Sequence, residues 1–572
     1  MLIKQFIKKL SLPLIFLFFL LYSFQSYSQV IYVDSQLAVD FTENYSILKR
    51  DCSGSDGFAY KTIQLAANVA SAGTQVIIRS GVYNEQLMPT KSGEENNYIT
   101  FKNFKGEKPE ITGDSLCPAI FIEKKEYIIF DGLIVKKVRR WFNALGCNHL
   151  IIKNSTFKKA VSLGGSSKTG LFFQSCDHIK ILNNIIDEST EDNIGLVDCD
   201  YNLIEGNKIT KARHTLWTLK GSSYNILRGN YFHNEVQKIG EIYDCDKVGY
   251  GSDDFPKISL FDHTKYNVVE NNIFAYTASS GNASPYSGIQ YAAQKGIIRN
   301  NIFYECSGPP ISLTIYSKEA EYNYGNRISH NVFYNNIFGG IQISGRQNHN
   351  FGDQKIKNNI FYKNKFVQHD FRWSWYDELN NKPTQIFLGG LYGITIESNN
   401  IFSSKVDQLY VIAYGTRNSS SNLPTKSLSW WESNHSNLFK SNMQVNPGFV
   451  DESSKDFHLQ QNSPMIDAGM FLTKTTNSGI NCTVMKVNDA GWFIDGFGII
   501  SGDTIQIEGQ HSYAVIKSVN YKDKLLTLDR PTTWVIGQGV SLKYSGIKPD
   551  IGVFEYISGT SGIKDNVLDS EK

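Results

Sequence analysis

One short pattern recurs along most of the chain and restricts what the chain can fold into. The segments LIIKNSTF (150–157), IKILNNII (179–186), YNLIEGNKI (201–209), YNILRGNYF (224–232), YNVVENNIF (266–274), GIIRNNIF (296–303), NRISHNVF (326–333), KIKNNIF (355–361) and ITIESNNIF (394–402) align on one polar column. Its members are Ser155, Asn184, Asn207, Asn230, Asn272, Asn301, Asn331, Asn359 and Asn400, separated by steps of 23 to 42 residues. β-Branched residues precede the asparagine and an apolar pair follows it. A unit of this length cannot bury its apolar face alone, so each repeat must stack on the next, one coil per repeat, with parallel strands. The expected fold is all-β, a right-handed parallel β-helix. Stacked Asn side chains can hydrogen-bond one another and the backbone, which makes the column structural rather than ligating.

Cys147, Cys176 and Cys199 each lie eight residues before a member of the column, and Ser222 and Thr264 hold the same place in the next two coils. They are expected to stack as an interior column of small side chains. Cys52, Cys117, Cys245, Cys306 and Cys482 show no metal-ligand spacing, and eight cysteines in 572 residues do not make a disulfide framework. Residues 62–72 (TIQLAANVASA) have helix-like apolar spacing and are read as a cap over the open end of the solenoid. After Ser404 the rhythm stops. NPGFVD (446–451), DFHL (456–459) and SPMIDAG (463–469) are followed much later by PDIGVFEY (549–556). Between them GDTIQIEG, YAVIKSV, KLLTLDR and GVSLKY read as short strands of a small β module, structural or carbohydrate-contacting in role.

The N-terminus has the form of an export leader: Lys4, Lys8 and Lys9, an apolar run over 10–22, and small residues Ser26 and Ser28 before a mature start near Gln29. That run is shorter than the roughly 20 residues a membrane span needs. The expected organisation is therefore a signal peptide over 1–28, a β-helix with its N-terminal cap over 29–476, a small all-β module over 477–545, and a terminal strand motif and tail over 546–572. The protein is expected to be secreted or periplasmic, without a membrane span after cleavage, and a monomer. A hydrophobic content of 41% excludes disorder. Loss of the leader, with three lysines and no acid, takes the formal charge from +2 to −1. Bulk charge thus predicts no nucleic-acid partner.

GVYNEQL (81–87), SGEENNYITFKNFKGEKPEITGD (92–114), the coils ending in NNIF and the NPGFVD…DFHL…SPMIDAG…DIGVFEY closure together resemble the pectate-lyase-like superfamily of secreted β-helix proteins. The resemblance spans nearly the whole mature chain. It implies a carbohydrate-active function, among polysaccharide lyases, uronate epimerases, glycoside hydrolases and adhesins. The Asn-Gly-Glu-x-Glu metal-binding pattern of the alginate lyase and chondroitinase B branch is absent.

Two long repeat steps carry insertions, 233–263 and 363–385, rich in acids, Lys and aromatics, a mixture that suits an acidic saccharide. HTLWTLK (214–220), PKISLFD (256–262), SGIQYAA (287–293), ISLTIYS (311–317) and GGIQISG (339–345) are expected to be adjacent strands of one sheet. With Leu216, Ile258, Ile289, Leu313 and Ile341 inward, alternation turns Trp217, Ser259, Gln290 and Gln342 outward onto a groove. The chemistry that fits is β-elimination at a uronate, in which the C5 proton is removed, the carboxylate is neutralised and the C4 substituent leaves. His214 and Lys257 are the proton-transfer candidates, with Tyr243 in reserve. Arg213, Lys220, Trp217, Tyr291, Gln342 and Arg346 are the substrate-contact candidates. Loss of a sugar from C4 makes the enzyme a lyase, and loss of water from a non-reducing-end uronate makes it a dehydratase. Glycoside hydrolase, uronate epimerase and carbohydrate-binding adhesin are the alternatives. Asp244 and Asp246 are weak candidates for a calcium site, and no cofactor is otherwise expected.

Overall fold

The computed structural model describes residues 29–163, 165, 167–243, 264–278, 286–314, 322–343, 350–365, 383–388, 391, 393–406, 412–414 and 426–558. Each coil contributes one strand to each of three long sheets, of sixteen, twelve and eleven strands, called here sheets 1, 2 and 3. In one representative coil the chain runs through Leu203–Glu205 in sheet 1, Lys208–Ala212 in sheet 2 and Trp217–Lys220 in sheet 3, then enters the next coil at Ile226–Arg228. Neighbouring coils pair in parallel, Ile204 against Leu227 and Ile209 against Phe232. The result is the right-handed parallel β-helix that the repeat demands. Its interior is a single apolar core in which Phe232, Phe274, Phe303, Phe333 and Phe361 stack ring on ring at 4.5–5.1 Å.

The Asn column sits at the turn between sheets 1 and 2. Asn184, Asn207, Asn230, Asn272, Asn301 and Asn331 each donate their backbone N–H to the side-chain oxygen of the next member at 2.8–3.0 Å. The residue before each of these members has a left-handed backbone: Asn183, Gly206, Gly229, Asn271, Asn300 and His330 have φ between 54° and 68°. Asn and Gly tolerate that region best, which explains why the motif reads NN or GN. The column ends differently from the sequence reading. Asn359 bonds Asn399, which bonds Asn442, whereas Asn400 pairs opposite Ile360 and exchanges bonds with Val445. Alignment on NNIF slips by one residue there. A second column, Asn202, Asn225 and Asn267, is bonded the same way at the turn between sheets 3 and 1. The cysteine column forms as expected, buried and without disulfides, with the N–H of Cys147 and Cys176 each 3.3 Å from the sulfur below.

Helix Ile63–Val69, N-capped by Thr62, covers the start of the core. A second helix, Leu428–Asn434, places Leu428 and Trp431 in the same core near its last strands. The closure segments then run back along the outside of sheet 2, where Phe449, Phe457, Leu459, Met465 and Ile551 pack on Tyr304, Val332, Tyr334, Ile360 and Tyr362. Between them lies a six-stranded antiparallel sheet, Thr473–Lys474 to Gly539–Leu542, with its own apolar core. Ile494, with Phe497, Ile499 and Ile500, packs on Leu203, Ile226, Val268 and Ile297 of sheet 1. Over these coils the outer faces of sheets 1 and 2 are thus covered by the chain's own C-terminal part.

Candidate functional site

Sheet 3 carries the remaining outer face. Its register sets Asn143, Phe172, Gly195, Thr218, Glu241, Gln290, Ser312 and Gln342 in one outward column, coil after coil. Gln174, Val197, Lys220 and Tyr243 form a second column two residues along.

This register corrects the alignment drawn from the sequence. The strand after Trp217–Lys220 is Gly240–Tyr243, not 256–262, and Trp217 lies level with Gly240 and Ile289. Trp217 therefore points inward and is 0% exposed. Its ring fills the space left by Gly240, where a Cβ would come within 2.1 Å of Cζ2. Tyr291 is likewise 0% exposed, its hydroxyl lodged against Gly296. Neither side chain reaches the outer face, so neither is a substrate contact. Gln342 does lie in the outward column, half-buried, and accepts a bond from Ser312 Oγ at 3.2 Å. Lys257, Arg346, Asp244, Asp246 and Ser259 lie outside the described residues. Among the described residues no group of three or more His, Cys, Asp or Glu side chains is placed to hold a metal ion.

His214 is the centre of a polar cluster at the edge of this face. Its Nδ1 lies 2.7 Å from Asp192 Oδ1, and Nε2 lies 3.9 Å from Glu241 Oε1. Asp192 is buried and fully engaged. It also accepts from Thr215 N at 3.2 Å, Thr215 Oγ1 at 2.8 Å and Thr218 Oγ1 at 2.9 Å. Glu241 is buried and bound to Lys238 Nζ. Burial disfavours the imidazolium, but the bond to Asp192 and the negative charges of Asp192 and Glu241 outweigh it and raise the pKa of His214. Burial also penalises the Asp192 carboxylate, yet His214, Lys220 and Thr215 hold it below the usual carboxylate range. Lys220 Nζ lies over the Tyr243 ring at 5.3 Å, and both residues are largely covered. Arg213 is exposed and donates to Ser167 Oγ.

The structure therefore gathers His214, Lys220 and Tyr243 on one face and adds Asp192, Thr218, Lys238 and Glu241, which the sequence reading did not single out. The available signal was the coil length. Asp192 precedes His214 by 22 residues, close to the 23-residue step of these coils, so the two are neighbours in adjacent turns.

A family model described as "right handed beta helix region" matches residues 118–252. An uncharacterized protein of Bacillus subtilis (strain 168), YwoF, is 26% identical over 442 residues, 71% of this chain and 87% of that protein. Among solved structures, the chain is similar to pectate lyase Pel9A at 13% identity and a TM-score of 0.36, covering 92% of this chain and 97% of that one. It is also similar to the GH136 lacto-N-biosidase of Eubacterium ramulus (13%, TM-score 0.42, 63% and 68% covered) and to the PL6 polysaccharide lyase Pedsa3628 of Pseudopedobacter saltans (13%, TM-score 0.39, 70% and 95%). These likenesses to solved structures concern the fold, which supports several chemistries.

Proposed function

We propose that the protein is a secreted carbohydrate-active enzyme that performs β-elimination on a uronic-acid-containing poly- or oligosaccharide at the outer face of sheet 3. The observation that carries this reading is the pinned imidazole. Asp192 holds Nδ1–H, so the proton-accepting nitrogen of neutral His214 is Nε2, on the side of Glu241 and the outward column. In the proposed reaction Nε2 takes the C5 proton, Lys220 offsets the uronate charge as the enolate-like intermediate forms, and the Tyr243 hydroxyl protonates the departing C4 oxygen. The C5–H and C4–O bonds break and the C4–C5 double bond forms. Arg213 and Gln342 extend the contact surface, and Lys257 and Arg346 belong to the same proposal.

Among the described residues, the two carboxylates of this cluster are not placed for hydrolysis. It needs two carboxyl groups that meet the sugar. Asp192 spends its oxygens on His214, Thr215 and Thr218, and Glu241 is buried against Lys238. The test is incubation with a panel of acidic polysaccharides and their oligosaccharides, followed by ultraviolet absorbance and mass spectrometry. An unsaturated uronate is expected. A product lighter by one water with the chain intact selects the dehydratase form, and reducing ends without unsaturation refute elimination.

A further inference from the structure

The C-terminal sheet closes on itself. Thr473–Lys474 pairs with Gly539–Leu542, and a bridge from Thr475 to Val487 joins its other side to Gly479–Lys486, making a small barrel. One wall is split. The long strand Leu525–Trp534 pairs with Tyr513–Asn520 only as far as Leu528. Beyond that point it stays with Gly479–Lys486, through Thr532 and Trp534. Meanwhile Tyr513, Ala514 and Val515 turn to Thr504–Ile507. The parting opens a cleft of about 250 Å³. Barrel mouths are favoured sites for small ligands.

The lining has two chemistries. The floor is core: Ile505, Ile507, Ala514 and Leu528 are all at most 4% exposed. The rim is made of amides and hydroxyls, Asn481, Gln510, Ser512, Thr532 and Thr533, beside the half-exposed ring of Tyr513. Gln510 Nε2 donates to Thr533 O at 2.8 Å and so ties the two lips together. One cation lines the cleft among the described residues, and it is compensated: the Arg530 guanidinium grips Asp529 at 2.8–3.2 Å. The cleft is also remote from the solenoid. Tyr521, just past the strand Tyr513–Asn520, stacks on Tyr266 in the turn before the sheet 1 strand Val268–Glu270, and is eight residues along the chain from Tyr513, about 26 Å at the usual strand rise.

We propose that this cleft is a second saccharide site that holds one neutral pyranose ring. A pyranose presents an apolar face and a hydroxyl edge, which match the floor and the rim. The volume lies below the roughly 300–1,000 Å³ of drug-sized pockets, which limits the occupant to a single ring. A compensated Arg530 offers no net charge to a carboxylate. The module thus anchors the enzyme to neutral sugar units, apart from the residues assigned to catalysis.

The test uses the mature chain carrying His214→Ala, so that binding is read without turnover. Methyl glycosides of glucose, galactose, mannose and xylose are compared with those of glucuronic and galacturonic acid by saturation-transfer NMR and titration calorimetry. At least one neutral glycoside is expected to bind, with affinity reduced tenfold or more by Ser512→Trp, which fills the cleft, and by Gln510→Ala, which unties its lips. In the chain that retains His214, Ser512→Trp should leave turnover of soluble oligosaccharides unchanged. Binding of uronates alone, no binding of any neutral glycoside, or binding that survives Ser512→Trp in a folded protein would each overturn the proposal. None of these outcomes bears on the elimination reading, which is tested by its unsaturated product.

Discussion

A histidine held at Nδ1 by a buried carboxylate has one nitrogen left for chemistry, and its protonation is set by that carboxylate. His214→Ala should lower turnover by about 10²- to 10⁴-fold, the usual contribution of a positioned base, with folding intact. Asp192→Asn makes a sharper test. The pKa of His214 is raised, so the neutral base becomes available only above the ordinary imidazole range, and the acid limb of the activity profile should fall there. Removing the Asp192 charge should move that limb to lower pH while reducing the maximal rate. The same pair affects stability with a definite sign. The raised His214 pKa contributes stability below its unfolded value, lost as pH rises through the folded value. The lowered Asp192 pKa contributes above its unfolded value, lost as pH falls through the folded one. The melting difference between wild type and Asp192→Asn should therefore be largest between the two and shrink on either side; a difference constant with pH would refute the pair. His214 was readable as a titratable side chain just before the apolar strand Trp217–Lys220. Asp192 could be joined to it only through the coil length, because their contact runs across coils. Trp217 misled because alternation was counted from Leu216, whereas the small residue that must face an inward tryptophan, Gly240, lies in a strand the alignment had skipped.

At the level of the coil, stability rests on columns rather than on single contacts. Asn272 illustrates the cost of a break. Its oxygen accepts from the backbone and side chain of Asn230 at 2.9 and 3.0 Å, and its amide donates to Leu227 O and Asn301 Oδ1 at 2.9 and 3.0 Å. Asn272→Ala strands buried groups on both neighbouring turns, at about 1–3 kcal/mol for each group left unsatisfied. A clear drop in melting temperature is expected, and an unchanged one would show that the column is dispensable. Gly240→Ala tests the packing columns. Its backbone is ordinary, so the whole effect is the collision with the Trp217 ring, which has no room to retreat inside a filled core. Pairing it with Trp217→Phe should restore part of the loss. The repeat made the coils, the first Asn column and the cysteine column readable, because each recurs at fixed offsets. The slip from Asn399 to Asn400 shows where such reading fails. When two asparagines adjoin, the motif cannot say which enters the column, and only the pairing of Ile360 with Asn400 decides it. The capping helix at 428–434 escaped notice because seven residues show too little periodicity to register.

Across the whole molecule, the C-terminal part is fastened to the solenoid by charge as well as by apolar packing. Arg299, 4% exposed on sheet 1, donates to Glu270 at 2.7–2.9 Å and to Asp503 of the small barrel at 2.6–2.8 Å. Arg327 and Lys355 make a second tie to Asp489. No local pattern announces a contact between residues 299 and 503, 204 positions apart, so the docking of the module could not be read from the sequence, although its strands could. The tie can be tested by Arg299→Met, which keeps the apolar stem and removes the charge. Asp503 is then left as a buried carboxylate without its cation, while Glu270 keeps only Arg228 at 3.8 Å, and breaking a buried pair in this way costs about 3–5 kcal/mol. Burial already raises the pKa of Asp503 against the pull of Arg299. Without the arginine it rises further, so the folded variant takes up a proton that the unfolded chain does not. Folding is then favoured as pH falls. The variant should melt well below wild type near neutral pH and recover in part in mild acid. Asp503→Asn added to Arg299→Met should reproduce that recovery at neutral pH. Limited proteolysis should cut first between the closure and the barrel, because the solenoid keeps its own core. If Arg299→Met melts like wild type at both pH values, the Arg299 tie is dispensable and the module is held by its apolar contacts and the Asp489 tie.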